Sequence, residues 1–339
     1  MNKKNSKYII GLTLIEVLIG IVITTIMMAA MYTSYNVVNK SYSRVSEKAK
    51  ISKSSRDLVS MLMRDIRMAG FKYYAGTYEI EKFSDDTAGG CPAPAGSPAG
   101  TPAGLTLPKV SYLVFDNGFN ITADSHNPVV IRRNVQGTGS TTTGGAGEIC
   151  CDQIQIVYED FNQNHLLQPF KKYKITYFAD QTGTDKIIRP DGSEGTIIRY
   201  GVYKKISSWK QERASLTDCN FPTSGSWVET CPECTSAPVL VRDRIADMEF
   251  IPFDENGIVI KNASGNFPAP ELSNMRDKLY DIRGVDVRLT FRSKNHFFRE
   301  GIARITNGLS GRDVSNPDRY LRDSVIVSVH TRNIGGEAF

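Results

Sequence analysis

The sequence has little that would identify an enzyme. Histidine occurs only four times, and no serine, cysteine or carboxylate constellation accompanies it in the pattern of a catalytic or metal-binding site. These four residues are dispersed along the chain: His126, His165, His296 and His330. The glycine-rich segments lack the lysine and the strand-to-helix context of a phosphate-binding loop. We therefore expect no catalytic activity and no cofactor.

An excess of one charge is also missing. The chain has 41 basic and 36 acidic residues, and three of the lysines lie within its first seven residues. Without a long basic run, we expect no nucleic-acid partner. One group of basic residues has two interpretations, a DNA contact or, as we favour, a solvated strand face: Arg288, Arg292, Lys294 and Arg299.

What the sequence does contain is one long apolar run, residues 12–31, behind a short basic stretch. About 20 residues of helix span roughly 30 Å, the thickness of a bilayer's hydrocarbon core. The run is longer than the apolar core of a cleaved secretory signal. Because basic flanks stay on the cytoplasmic side, the sequence predicts a single membrane pass with a cytoplasmic N-terminus and a periplasmic C-terminal part.

Glu16 lies inside this apolar run. At the bilayer centre an unpaired carboxylate costs about 2.5–3.5 kcal/mol, and nearer the end of the span it still requires a partner. A cut after Gly11 would place a new amino terminus at Leu12, four residues before Glu16. An ammonium group and a carboxylate would then mark the same end of a membrane helix.

The segment Gly11-Leu12-Thr13-Leu14-Ile15-Glu16, between a basic leader and an apolar run, resembles the prepilin signal of type IV pilin-like proteins. The resemblance implies cleavage by a prepilin peptidase after Gly11 and N-methylation of Leu12, where many members have phenylalanine. It also implies that Thr13 and Glu16 act in subunit assembly, with Glu16 meeting the amine of an adjacent subunit. The alternative is an ordinary signal anchor with a chance glutamate.

The helical pattern continues beyond the membrane segment. Apolar or small residues recur at heptad-like spacing, with Arg56 as the only break, at Val38, Tyr42, Val45, Ala49, Ser52, Val59, Met63 and Ile66. Gly70 is a natural helix stop, so one helix is expected over residues 12–69. This stripe predicts packing, either in a dimeric coiled coil or, in a pilin, against neighbouring helices and the chain's own sheet.

After residue 70 the pattern changes to short β-type runs. Eight strands are predicted, at residues 110–115, 128–133, 153–158, 173–179, 197–204, 244–253, 285–292 and 323–331. Several alternate apolar and polar residues, which is typical of strands with one buried face. Residues 89–108 and 137–147 are predicted to be flexible surface loops. Together with the helix, this pattern predicts an α+β architecture with a largely antiparallel sheet.

The segment from Arg64 to Phe71 is similar to the end of the first helix in PilW-type minor pilins, and three late segments (244–250, 282–285 and 320–333) are similar at the level of pattern. The resemblance implies four parts: a leader (1–11), a transmembrane half-helix (12–31), an amphipathic half-helix (32–70) and a periplasmic pilin-type head (71–339). It implies a structural subunit that starts or caps a type IV pilus.

The resemblance also implies partners and location. The partners would be minor and major pilins, prepilin peptidase, the inner-membrane assembly platform and, before assembly, membrane lipid. The protein would move from the inner membrane to an extracellular pilus. A J-like minor pseudopilin of a type II secretion system is the first alternative. A signal-anchored periplasmic enzyme or receptor is the second.

Six cysteines, an even number behind an export signal, are interpreted as structural disulfides. They are Cys91, Cys150, Cys151, Cys219, Cys231 and Cys234. Zinc or redox roles for the Cys231–Cys234 pair are the alternative, although a zinc ribbon needs a second such pair. Adjacent residues of a strand face opposite ways, so Cys150 and Cys151 are expected to bond to different partners, and Cys219 is expected to join the later pair.

One acidic segment, Asp254-Glu255-Asn256-Gly257, admits two interpretations. Asn-Gly after an apolar run is typical of a turn, which is the interpretation we favour. A calcium loop is the alternative, although the spacing and closing glutamate of an EF-hand are missing.

Overall fold

The computed structural model describes residues 13–70, 127–133, 151–161, 170–188, 193–210, 226–229, 238–270, 272, 274–298, 302–306, 309 and 314–331. The chain divides into two compact units, Met1–Lys50 and Ile51–Phe339. A single α-helix, α1 (Leu14–Met68), begins in the first unit and ends in the second. The described part of the first unit is the helix with one residue before it.

The second unit contains the last part of α1, and one face of this part is buried. Its buried residues recur every three or four positions, as expected for a helix that packs one face on a sheet: Ile51, Ser55, Leu58, Val59, Leu62, Asp65, Ile66 and Ala69. Val59 and Ile66 belong to the heptad-like stripe predicted from the sequence. Met63 of the same stripe packs against the core, so the stripe is confirmed in part, but the buried face is centred on Leu58 and Leu62, which the stripe does not include.

The helix ends where the sequence predicts. Gly70 adopts a φ of 71°, a left-handed conformation that glycine reaches at little cost. Its N–H donates to the carbonyl oxygen of Val157 at 2.9 Å, so the first residue after the helix is tied directly to the sheet. The helix stop thus also fixes where the helix end meets the sheet.

Among the described residues, ten strands follow the helix, and every pairing between them is antiparallel. They are β1 (Val129–Arg132), β2 (Gln153–Phe161), β3 (Phe170–Ile188), β4 (Glu194–Lys210), β5 (Ser226–Glu229), β6 (Val239–Phe253), β7 (Gly284–His296), β8 (Ile302–Thr306), β9 (Val314–Asp318) and β10 (Tyr320–His330). Eight form one sheet in the order β1-β2-β3-β4-β6-β7-β10, with β5 on β4, while β8 pairs with β9. A short 3-10 helix (Asp277–Tyr280) precedes β7.

Seven of the eight predicted strands are confirmed, and the eighth, at residues 110–115, lies outside the described residues. The strands β3, β4 and β6 are longer than predicted, because polar and charged residues continue the pairing past the apolar runs. The sequence analysis missed β5, β8 and β9, which have four or five residues each. The predicted loops at 89–108 and 137–147 also lie outside the described residues.

The sheet does not have one buried and one solvated face along its whole width. In β7, Val285, Val287 and Leu289 lie in the apolar core, but Arg288 and Thr290, which point to the opposite face, are 0% and 1% exposed. The prediction of a single buried face was therefore wrong for this strand. Alternation predicts which residues share a face, but it does not show what covers the polar face.

The long helix and the antiparallel sheet confirm the predicted α+β class. The core of the second unit lies between the last part of α1 and the apolar face of the sheet. Its buried side chains from the sheet include Ile154, Tyr177, Val202, Met248 and Phe250.

Candidate functional site: the start of the N-terminal helix

The helix begins with two residues that cap it. Thr13 occupies the N-cap position, and its backbone N–H donates to Glu16 Oε2 at 2.9 Å. The Thr13 hydroxyl also donates to Glu16 Oε2, at 2.9 Å, and the Glu16 N–H points back to that hydroxyl oxygen at 3.4 Å. This exchange between a threonine and the glutamate three residues later is a capping box. Thr13-x-x-Glu16 is therefore also a helix start.

Thr13 and Glu16, both predicted as assembly residues, are thus brought together by the structure. The capping role itself was missed by the sequence analysis. The signal was present, because threonine followed three residues later by glutamate ahead of an apolar run is a known helix-start pattern. Gly11 and Leu12 lie outside the described residues.

The carboxylate of Glu16 has room for a further partner. Glu16 is exposed, and within the described part of the chain no lysine, arginine or histidine forms an ion pair with it. A carboxylate has two oxygens with about four lone-pair directions, and Thr13 occupies only one oxygen. The site can therefore accept a cation, such as an ammonium group, without losing the cap.

The surface that follows is apolar and uncovered. Large apolar side chains from Leu14 to Met31 are 46–83% exposed in this chain. The helix is long and apolar enough to cross a membrane. Exposure of apolar surface to water costs a free energy of about 25 cal/mol per Å², so this surface requires lipid or other protein around it.

Threonines within this segment satisfy their own hydroxyl groups. Thr24 donates to the carbonyl oxygen of Gly20 at 2.9 Å, and Thr25 donates to that of Val22 at 2.8 Å. Thr33, just beyond the apolar run, donates to Ala30 at 2.8 Å. Since each hydroxyl bonds to the previous turn of its own helix, none of these residues prevents the segment from entering an apolar medium.

A second polar centre lies in the last turns of α1. The sequence analysis used this segment only for its resemblance to PilW-type minor pilins and assigned no role to Asp65. Asp65 is 4% exposed and accepts hydrogen bonds from Tyr177 Oη at 2.6 Å and from Lys204 Nζ at 2.5 Å. Tyr177 and Lys204 face each other across β3 and β4. This buried group anchors the helix to the middle of the sheet.

Burial changes the ionisation of the tyrosines beside this anchor. Burial raises the pKa of Tyr158 to about 12, with a smaller contribution from the Asp65 carboxylate. The pKa of Tyr177 is raised further, first by burial and then by the negative charge of Asp65, to which its hydroxyl donates. Both phenols therefore stay neutral where an exposed tyrosine would begin to ionise.

Two of the four basic residues near position 290 are buried and belong neither to a DNA-binding patch nor to a solvated face. Arg288 is fully buried, with Nη2 2.8 Å from Asp247 Oδ2 and Nε 3.7 Å from Glu249 Oε2. Arg292 is 5% exposed, and only Lys294 is exposed. Both interpretations were wrong for Arg288 and Arg292, because nearby carboxylates allow these strand residues to be buried. Arg299 lies outside the described residues.

The structure also describes the predicted turn that starts at Asp254 and two of the four histidines. Asp254 Oδ1 accepts the N–H groups of Asn256 and Ile258, and Gly257 has a φ of 76°, which confirms the predicted turn. His296 and His330 pack on aromatic rings at opposite ends of the β7–β10 pairing. Among the described residues, no group of three or more metal-ligating side chains is present.

One of the six cysteines is described. Cys151 is fully buried and disulfide-bonded. The other five lie outside the described residues, as do His126 and His165. The pairing of the cysteines therefore stays a prediction.

Comparisons with known proteins found a slight structural similarity and no related family. No protein-family model matches the chain, and no curated protein matches it. Among solved structures, a type IV-like pilin from Thermus thermophilus is similar over 61% of this chain and 84% of its own, with 10% sequence identity and a TM-score of 0.23. A likeness this slight carries no argument about fold or function.

Proposed function

We propose that this protein is a minor pilin of the PilW kind, a structural subunit that helps to start or cap a type IV pilus. The observation that carries the proposal is the uncovered apolar surface from Leu14 to Met31, which begins at a capped glutamate. An anchor needs only the apolar surface. A carboxylate at the start of that surface is explained if it binds a positively charged group of another subunit there.

In this proposal prepilin peptidase cuts after Gly11, and Leu12 becomes the N-methylated terminus. The new ammonium group of one subunit then meets the Glu16 carboxylate of another, inside an apolar layer where a charge pair is strongly favoured over two separate charges. The capping bonds from Thr13 hold the carboxylate at the start of the helix. Assembly thereby replaces lipid around the apolar segment with neighbouring helices.

The head is proposed to act in the periplasm as a contact module and not as an enzyme. Its partners would be other minor and major pilins, with the inner-membrane assembly platform at the base of the filament. Its length supports a minor role, because a subunit repeated along a filament is usually much smaller than 339 residues. After assembly the head would lie outside the cell on the pilus.

The test is an intact-mass and N-terminal analysis of the protein from host membranes, with and without the prepilin peptidase. A chain that begins at methylated Leu12 only when the peptidase is present supports the proposal. A Gly11→Val variant provides a matched control that should stay uncut. A chain that begins at Met1 in both strains would overturn the proposal and leave a signal-anchored protein.

A second measurement separates the two machines that use such subunits. Deletion of a minor pilin removes surface pili, which electron microscopy of whole cells detects. Deletion of a J-like minor pseudopilin leaves pili in place and stops the secretion of exoproteins. A strain that keeps its pili would contradict the first assignment.

A further inference from the structure

Three arginines from three neighbouring strands converge on one aspartate in the sheet. Asp185, on β3, lies 3.4 Å from Arg199 Nη1 on β4, measured from Oδ1. Its second oxygen, Oδ2, lies 2.5 Å from Arg244 Nη1 on β6 and 2.5 Å from Arg292 Nη2 on β7. In the pairing register Arg199 is opposite Gly183, two residues before Asp185, and Ile245, which follows Arg244, is opposite Phe291, which precedes Arg292.

The backbone is irregular near these residues. Register shifts occur in β3 between Gln181 and Gly183, in β6 after Ile245 and in β10 after Tyr320. Bulges of this kind redirect side chains and are frequent next to functional sites. Arg244 has a φ of 64°, the only positive φ of a residue other than glycine among those the structure describes. An arginine there costs conformational energy that a glycine would avoid.

This group, which we call the arginine row (Arg199, Arg244, Arg292 and Asp185), has too little negative charge. Besides Asp185, the only carboxylate within ion-pair distance of the three guanidinium groups in the described part of the chain is Asp243, 3.5 Å from Arg199 and 4.0 Å from Arg244. Three positive charges therefore face two negative ones. A fourth arginine, Arg322 of β10, is opposite Arg292 in the register.

Burial and repulsion act on Arg292 in the same direction. Burial lowers the pKa of Arg292, and the nearby charges of Arg322 and Arg244 lower it further, against the attraction of Asp185. Its side chain is 4% exposed and stacks on the Tyr320 ring, with 4.8 Å between the guanidinium carbon and the ring centroid. A cation that is buried and repelled by other cations is stabilised by any additional anion.

The row also has hydrogen-bond donors to spare and an opening to solvent. A guanidinium group has five N–H donors, and Arg244 uses one of them in a hydrogen bond, to Asp185. The side chains of Arg199 and Arg244 are 26% and 16% exposed, so solutes can reach them. Several planar guanidinium groups around one point match the geometry of carboxylate and phosphate oxygens.

We propose that the arginine row is a binding site for a compact oxyanion, a carboxylate or a phosphate group, which joins Asp185 among the guanidinium groups. A divalent cation is excluded there by the net positive charge. The inference does not depend on the proposed function, because it uses only residues of the second unit. The source of the anion is either a free ion or an acidic side chain of another protein.

The test uses the full-length protein in detergent micelles. Calorimetric titration and thermal unfolding are recorded with sodium phosphate, with sodium succinate and with sodium chloride at equal ionic strength. The informative variant is Arg244→Gly, which removes one guanidinium group and suits the positive φ, so that it keeps the fold. Lys261→Gln removes one positive charge at an exposed position eight residues past the end of β6 and is the control.

We expect phosphate, succinate or both to bind the unaltered protein and Lys261→Gln with equal affinity. Arg244→Gly should bind about tenfold more weakly or worse, as the loss of a charge-assisted hydrogen bond implies. Binding of succinate alone would identify a carboxylate site, and binding of phosphate alone a phosphate site. The proposal is overturned if neither anion exceeds chloride, or if all three proteins respond alike.

Discussion

The phenolic oxygen of Tyr177 lies 2.6 Å from the carboxylate of Asp65, which is 112 residues earlier in the chain. This bond joins the last turns of α1 to the centre of the sheet, and Lys204 completes it from the neighbouring strand. An aspartate on the buried face of a helix would otherwise be among the most costly residues in a core. Here it holds the helix in place.

Replacement of Asp65 should therefore destabilise the second unit. In Asp65→Asn the Lys204 ammonium group loses its buried partner, and breaking a buried ion pair from one side typically costs about 3–5 kcal/mol. Asp57→Asn, an exposed position two turns earlier in α1, should change the free energy of unfolding by about 0.5 kcal/mol or less. Urea unfolding in micelles, followed by the fluorescence of Trp209 and Trp227, measures both. Equal effects would contradict the anchoring role.

Alkaline pH should weaken the same region. Because the pKa of Tyr158 is raised to about 12 in the folded protein, the unfolded chain releases this proton first, near the ordinary tyrosine pKa of about 10. Stability is then complete below pH 10 and is lost as the pH rises toward 12. Denaturant unfolding from pH 8 to 12 should show a shallower loss for Tyr158→Phe than for Tyr35→Phe, an exposed control. An unchanged slope for Tyr158→Phe would contradict the assignment.

The fully buried Arg288 should be indispensable for folding. In Arg288→Met, Asp247 and Glu249 lose the cation between them, and we expect a cost of about 3–5 kcal/mol. Lys294→Met, on the same strand but exposed, should be close to neutral. Thermal unfolding of both variants measures the difference. A mild effect of Arg288→Met would show that the two carboxylates can become protonated or hydrated at little cost.

The capping and charge roles of Glu16 can be separated. Glutamine also serves in a capping box, so Glu16→Gln should keep the start of the helix and insert in the membrane normally. It removes the negative charge, however, and should sharply reduce incorporation into filaments. Thr13→Ser, which keeps the capping hydroxyl, should assemble normally. Immunoblots of sheared surface filaments against membrane fractions measure both. Normal assembly of Glu16→Gln would contradict a role for the charge.

Close packing at Gly284 gives a further prediction. A Cβ atom there would overlap the ring of Phe253, which packs edge-on against His330. Gly284→Ala should therefore cost about 1–3 kcal/mol, the usual range for overpacking. The double variant Gly284→Ala with Phe253→Leu should regain part of that loss, because the smaller side chain can move aside. A double-mutant cycle on thermal unfolding measures the coupling, and simple additivity would contradict the explanation.

The elements with a strong local signal were predictable from the sequence, and those that depend on distant residues were not. The apolar run, the stop at Gly70 and the strand cores follow from composition and spacing within a few residues. The burial of Arg288 depends on carboxylates about 40 residues earlier, and that of Asp65 on Tyr177 and Lys204. No local pattern reveals such partners. The offset between the predicted stripe and the buried face of the helix has the same origin, because Leu58 and Leu62 share a core with residues that are far away in sequence.

At the start of the helix the situation is reversed. The hydrogen bonds between Thr13 and Glu16 are local, and their spacing is visible in the sequence. The sequence analysis nevertheless assigned Glu16 only a distant partner, because a charge inside an apolar run requires one. The cap uses a single carboxylate oxygen of Glu16, which leaves the other oxygen for the proposed charge pair.

The Asp65 anchor also makes the position of the helix on the sheet discrete. A slide along its axis by one turn, about 5.4 Å, would bring either Met61 or Ala69 opposite Tyr177 and Lys204. Alanine has no side-chain hydrogen-bond acceptor and the thioether of methionine is only a weak one, so a displaced helix would not regain the hydrogen bonds that Asp65 accepts. A pull along the helix axis would therefore be resisted until the hydrogen bonds of Asp65 break. The helix would then be released from the sheet in a single step and not by gradual sliding.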